Sequence, residues 1–219
     1  MILGIYGAGG SGRELFELAT IINSNNDRWS ELIFIDDTKE EGEKLRGIPI
    51  YSFENLTKNI DTESIEIIIS LGEPANRKKL AEKIIHAGYR LATLIHPNVH
   101  IPESTKIGDG VIISCNAFIS CDVIIEDNVM ILPQSSVAHD NHIGKNTVIA
   151  GHSDLGGGVH IGFNTYIALN VCVREKTHIG DNVIVSAGSA VLKDVPDNVI
   201  IHGNPAKAIM KKDDRTVFR

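Results

Sequence analysis

The strongest restriction on what this 219-residue chain can fold into is a six-residue period in its second half. Positions 95, 101, 107 and every sixth residue up to 191 are Ile, Val or Leu, seventeen in unbroken phase. Four residues after each, the side chain is Val, Thr, Ser or Ala in every repeat but one, where Asn141 stands. One large and one small inward residue per hexapeptide is the pattern of a parallel β-helix. Three hexapeptides make one coil, so residues 18 apart stack at the inter-strand spacing of about 4.8 Å. The unbroken phase predicts a prism from which no long loop departs between residues 95 and 195.

Stacking converts this half of the sequence into columns. Asn98, Asn116, Gln134, His152 and Asn170 form one column, read as a ladder of side-chain amides at a corner that needs unusual backbone angles. His142, His160 and His178 form a second, whose spacing along one line favours edge packing or a subunit contact over a metal site. Gly151, Leu169, Ala187 and Pro205 form a third, small and mostly apolar, along which an extended ligand arm could lie. Adding 18 to His139 and Asp140 reaches Gly157 and Gly158, within "LGGGVH". The coil next to that pair therefore has no side chains beside it, and Asn141 marks the same coil as perturbed. Cys121 stacks below His139 and reads as a small filler.

Residues 1 to about 94 carry a different pattern, with strand-like runs "ILGIY", "LIFIDD", "IEIIIS" and "RLATLI" alternating with helical ones. The helix after the first strand has a stripe of Leu15, Leu18, Ala19 and Ile22. The helix in "EPANRKKLAEKIIHAG" has Pro74 in its first turn and Gly88 after its end. Such alternation predicts a small parallel α/β, Rossmann-like domain over 1–94, followed by the β-helix with a closing segment over 95–219. Between the first strand and its helix, Gly7, Gly9 and Gly12 satisfy G-x-G-x-x-G, a turn that cradles phosphates on backbone N–H groups and a helix N-terminus. No dehydrogenase-type substrate domain follows it.

A formal net charge of −7 argues against a nucleic-acid or anionic-membrane surface. No apolar run approaches a membrane span, and no basic leader precedes the first strand. Three cysteines without a C-x-x-C pair fit a reduced, cytoplasmic setting.

"GIYGAGGSGRE", "IFIDD", "ISLGEPANRKK", "TLIHPNV", "SVAHDNHIG" and "IIHGNPAKAI" together resemble the hexapeptide-repeat acyltransferases with a left-handed β-helix. More narrowly, the chain is similar over its length to nucleotide-amino-sugar N-acetyltransferases and their sialic-acid O-acetyltransferase relatives. That resemblance implies an N-terminal domain that binds a nucleotide sugar and a β-helix that forms a homotrimer and binds acetyl-CoA, with no metal. It implies that Gly7, Gly9, Gly10 and Ser11 cradle the diphosphate, that Asp36 and Asp37 face the nucleoside, and that Gly72 and Arg77 complete the site, Arg77 on a phosphate. His139 is the implied general base, Asp140 its orienting acid and Gly157 N–H the oxyanion donor. The groove for acetyl-CoA would run along Gly151, Gly157, Leu169, Ala187 and Pro205, between neighbouring subunits, with Lys207 meeting a CoA phosphate. The chain departs from the pattern at Ser11 and Val148, where relatives often have His, and at Leu132, where Asn is common. A histidine base serves an amine or a hydroxyl acceptor, so N- and O-acetyl transfer both stay open. A zinc-dependent lyase on the same β-helix would need three converging histidines, and a non-catalytic scaffold would leave the coincidence of His139, Asn141 and Gly157 without a reason.

Overall fold

A computed structural model describes residues 1–40, 42–211 and Val217. Strand β1 (Ile2–Tyr6) lies at the centre of the N-terminal sheet, paired in parallel with β2 (Glu31–Ile35) and β5 (Ile65–Ile69). The sheet is completed by β3 (Lys44–Leu45), β4 (Ile48–Tyr51) and β6 (Arg90–Leu91), in the order β3-β4-β2-β1-β5-β6. Helix α1 (Gly10–Asn26) buries the stripe Leu15, Leu18, Ala19 and Ile22. Helix α3 (Pro74–His86) starts on Pro74, whose missing N–H is one the first turn leaves unpaired anyway. The β3–β4 hairpin and the seven-residue α2 (Phe53–Asn59) are too short to carry a readable period, and the sequence pattern does not reveal them. "RLATLI", expected as one strand, is two: Arg90–Leu91 closes the first sheet, while Leu94–Ile95 pairs with Ile112–Ile113 and opens the second half.

That second half is a three-faced parallel β-helix of two-residue strands. The phase residues fill its interior, from Ile113 to Val191, almost wholly buried. At several of the small inward Ser and Thr residues the hydroxyl donates to the carbonyl 15 residues on: Thr147 to Gly162 at 2.8 Å, Ser153 to Ala168 at 2.8 Å and Thr165 to Gly180 at 3.0 Å, whereas the Thr177 hydroxyl is buried without a partner among the described residues. Asn116, Gln134, His152 and Asn170 turn their corner with φ between 56 and 62°, in the left-handed region, in keeping with the unusual backbone angles expected of the column. Asn98 joins it by donating to Asn116 Oδ1 at 3.1 Å. At another corner Asn128, Asn146, Asn164 and Asn182 repeat the device, each amide donating to the next.

After Val191 one coil is two residues shorter. Ile179 bridges to Val195 and Val185 pairs with Ile201, a separation of 16 rather than 18. The shift of two residues carries Pro205 out of line with Ala187. Pro205 is removed from the Gly151–Leu169–Ala187 column and lies in the turn between Val199–His202 and the antiparallel strand Lys207–Lys211.

The domains meet on one face of the prism. On that face the outward residues are apolar as well: Leu94, Ile112, Met130, Val148, Tyr166 and Ile184 are all buried, in one cluster with the α1 stripe. Arg77 fastens the same junction and is wholly buried. Its Nη1 donates to Ile69 O (2.8 Å) and Leu71 O (3.0 Å), while Nε and Nη2 reach Asn128 O and Oδ1 at 2.7–3.0 Å. The expected phosphate contact is thus overturned, because every N–H of the guanidinium fork is aimed at protein carbonyls inside the junction. Burial pushes its pKa down to about 9, so it stays charged at neutral pH.

The histidine column packs ring on ring. His142 and His160 are edge to face at 4.7 Å, and His160 stacks on His178 at 4.6 Å. His142 Nε2 meets Glu126 Oε1 at 2.7 Å. Burial, then repulsion from His142 and His178, holds His160 below the usual imidazole value, with Asp181 and Glu126 opposing.

Arg77→Met should strand the Ile69, Leu71 and Asn128 carbonyls. The expected cost is at least about 3 kcal/mol, at 1–3 kcal/mol for each buried unpaired group, read as a fall in Tm by calorimetry. For His160 the unfolded chain binds its proton near 6.5 and the folded one lower, so stability is lost as pH falls from about 6.5 toward the folded value. His160→Asn should flatten the decline in Tm between about pH 7 and 5; an unchanged slope would show that other groups set it.

Candidate active site

The glycine turn forms one wall of a pocket of about 460 Å³ at the carboxyl ends of β1, β2 and β5. Gly7 has φ of +111°, and any side chain at Gly12 would collide with the Gly7 carbonyl, so both glycines are required by the turn itself. Helix α1 has no side-chain cap, which leaves its first N–H groups directed at the pocket beside Gly9, Gly10 and Ser11. Asp36, Asp37 and Gly72 line the same pocket. Arg77 does not.

Both acids also hold the pocket together. Asp36 Oδ2 accepts from Ala8 N at 2.8 Å, inside the glycine turn, and Oδ1 accepts from Thr38 N and Oγ1. Asp37 accepts from Phe53 N at 2.8 Å, from Tyr6 Oη and from Lys83 Nζ at 2.6 Å. Partial burial pushes both carboxyls up. Thr38 and Ala8 outweigh it at Asp36, Lys83 and Tyr6 outweigh it at Asp37, and both end below the usual carboxylate value. Thr38, which lines the pocket, and Lys83, which lies over the Phe53 ring at 4.6 Å and holds the pocket acid Asp37, are residues that the sequence does not point to. Thr38 directly follows the two acids and was within reach; Lys83 comes from a helix surface with no local signal.

A second pocket, of about 580 Å³, opens between α1 and the β-helix. Leu132, Gly151, His152 and Leu169 line it on the prism side, and Ser11 lines both pockets. The phosphate-type turn and the upper part of the small-residue column therefore share a wall. Ala187 and Lys207 lie outside it, and Lys207 pairs with His202 at the closing strand.

His139 stands on a different corner. Gly151 adjoins the corner of Gln134, His152 and Asn170, whereas His139 adjoins the corner formed by Asp122, Asp140, Gly158 and Lys176, one prism face away. One chain therefore does not bring His139 to the Gly151–Leu169 column. Asp140 takes φ of 60°, tolerated by its short side chain. Its Oδ2 lies 2.7 Å from His139 Nδ1. A carboxylate only accepts, so Nδ1 carries the proton and Nε2 presents its lone pair. The imidazole is 62 % exposed and lies against Gly157: a Cβ there would sit 2.6 Å from Cε1 and 2.7 Å from Nε2. The space left by the missing side chain is thus taken by the ring. Gly157 N–H has no protein acceptor among the described residues, while its carbonyl accepts from Lys176 N. No group of three or more His, Cys, Asp or Glu side chains is arranged to hold a metal ion among the described residues. No described helix is long and apolar enough to cross a membrane.

Residues 3–84 match the family model described as the PglD N-terminal domain. A GDP-perosamine N-acetyltransferase from Escherichia coli O157:H7 is 29% identical over 143 residues, 63% of this chain and 62% of that protein, so less than two thirds of that relative is spanned. The acetyltransferase domain of PglB from Neisseria gonorrhoeae FA1090, solved with acetyl coenzyme A, is 28% identical. It superposes with a TM-score of 0.88 over 95% of this chain and 98% of that one. PerB from Caulobacter crescentus, solved with CoA and GDP-perosamine, is 26% identical with a TM-score of 0.86, over 95% and 97%.

Gly157→Ala puts a methyl group where the His139 ring lies, at a backbone angle that any residue can adopt. The exposed ring should swing away and its bond to Asp140 should break, seen as shifted His139 ring resonances by NMR. Stability should change by less than about 1 kcal/mol. Unchanged His139 resonances would contradict this placement.

Proposed function

We propose that this chain, which belongs to the hexapeptide-repeat sugar acetyltransferases, transfers the acetyl group of acetyl-CoA to the amino group of a nucleotide-linked deoxyamino sugar. The observation that carries the reading is His139 held by Asp140 through Nδ1, with its ring over Gly157. The sugar amine attacks the thioester carbonyl, forming the N–C bond, and His139 Nε2 takes the amine proton. Gly157 N–H donates to the oxyanion that develops on the carbonyl oxygen. As the C–S bond breaks, the proton passes from His139 to the departing CoA thiolate. Asp140 keeps the imidazole in the tautomer that can accept, and it faces the imidazolium that forms.

The nucleotide end belongs in the pocket of Gly7, Gly9, Gly10, Ser11 and Gly72. Its diphosphate lies on the α1 N-terminus and its nucleoside toward Asp36 and Asp37. Gly151, Leu169 and Ala187 form the track for the pantetheine arm, with Lys207 on a CoA phosphate. The separation of His139 from that track supports a homotrimer in which one copy supplies the base and its neighbour the track. Exposed Phe118, Phe163 and Leu169 are apolar surface for such contacts. The enzyme works without metal, in the cytoplasm, where Cys115, Cys121 and Cys172 remain free. Its product enters surface-glycan assembly.

The test is thiol release from acetyl-CoA with UDP-, dTDP- and GDP-linked amino sugars, and with hydroxyl acceptors as the contrast. His139→Ala should lower kcat by about 10²–10⁴ with a much smaller change in KM. His152→Ala, in the corner ladder, should affect stability more than rate. A His139→Ala enzyme with near wild-type kcat overturns the role of the base.

A further inference from the structure

We propose that Asn141 is a positioning residue that sets two peptide planes at once, the one leading into His139 and the one leading into Gly157. This rests on the roles given above to those two residues. Asn141 is 1 % exposed, inside the prism, at the position every other repeat fills with Val, Thr, Ser or Ala. Its Nδ2 donates to Ala138 O at 2.7 Å and to Gly156 O at 3.0 Å. Both partners are carbonyls, which only accept, so the nitrogen end of the amide is fixed toward them.

The hydroxyl residues of the same interior position cannot do this. Thr147, Ser153 and Thr165 have one proton each and give it to the carbonyl 15 residues on, in the next coil. Asn141 gives an equivalent bond to Gly156, and its second N–H reaches back to Ala138 in its own coil. The price of this arrangement is visible at the other end of the amide, where Oδ1 is buried without a partner. An unpaired buried acceptor costs stability that Val or Ala in this place would not lose. Packing therefore gives no reason for Asn141, whereas the two carbonyls it selects do.

In a planar trans peptide the C=O and the following N–H point in opposite directions. With Gly156 O drawn inward to Asn141, Gly157 N–H points outward, on the side where the His139 ring lies. Residues 156–158 are all glycine, the stretch in which a peptide plane meets the least rotational hindrance. With Ala138 O drawn inward, the plane that launches His139 is held as well. One side chain thus keeps base and donor in a common frame across two coils.

The experiment compares Asn141→Val, which removes both bonds, with Asn141→Thr, whose hydroxyl can restore the bond to Gly156; each substitution is the native residue of other repeats. Asn141→Val should keep the oligomeric state and have a Tm equal to or above wild type, while kcat falls by about 10–10², less than the loss of an oxyanion donor itself. KM for acetyl-CoA and for the nucleotide sugar should stay within about threefold. Asn141→Thr should recover most of the rate. Wild-type kcat in Asn141→Val, or a loss of rate that follows a lower Tm or a raised KM, overturns the proposal. His139→Ala, measured alongside, separates the two readings. If it is crippled while Asn141→Val is not, only the role of Asn141 fails. If it is unaffected, the base assignment fails, and the Gly157 half of the proposal is still decided by Val against Thr.

Discussion

Each coil of the prism hands its backbone amides to the carbonyls of the next, as in Phe118 N to Ser135 O, Ser136 N to Ser153 O and Asp154 N to Val171 O. This ladder is parallel and spaced by the coil length, so a slip of one residue would turn the whole interior column outward. Everything chemical in the second domain depends on that rigidity. His139 rests on Gly157 because 139 and 157 are one coil apart, and Asn141 reaches Gly156 for the same reason. The His139 corner needs no loop of its own, since the pitch of the ladder brings its parts together.

The junction extends the same order to the first domain. Arg77 joins the carbonyl ends of the α/β sheet to the Asn128 corner, and the α1 stripe covers the apolar outward column. Helix α1 therefore serves both halves, its buried face docking on the prism and its uncapped N-terminal turn walling the glycine-turn pocket. Asp36 ties Ala8 of that turn to the end of β2, and Asp37 ties β2 to α2 and α3 through Phe53 and Lys83. Val148 is buried under this contact and offers no polar group to the second pocket.

The legible parts of the molecule were those governed by local period. Interior positions, left-handed corners and the His139–Gly157 pairing all follow from counting in sixes and eighteens. Counting failed at Pro205, because two residues are missing from one coil after Val191 and all later positions shift. The resemblance misled at Arg77, since a helix arginine becomes a buried clamp only when a distant domain covers it. The docking face was present in the sequence but not used: on one face of three the outward column is Leu94, Ile112, Met130, Val148, Tyr166 and Ile184, whereas another presents Lys106, Ile124, His142, His160 and His178. Strands β3 and β4 and helix α2 left no period long enough to detect.

The shortened final coil has a meaning beyond register. A stack of parallel coils ends in a row of unpaired N–H and C=O groups, which is a template for another strand of the same kind. Here Val199–His202 is met by Lys207–Lys211, running the opposite way and carrying exposed lysines at both ends. Reversal of direction breaks the geometry that a further parallel coil would copy, and the charges disfavour end-to-end joining. The repeat is thereby made finite: the segment that terminates it works as a stopper against fibre-like growth, an office distinct from any contact it makes with a ligand.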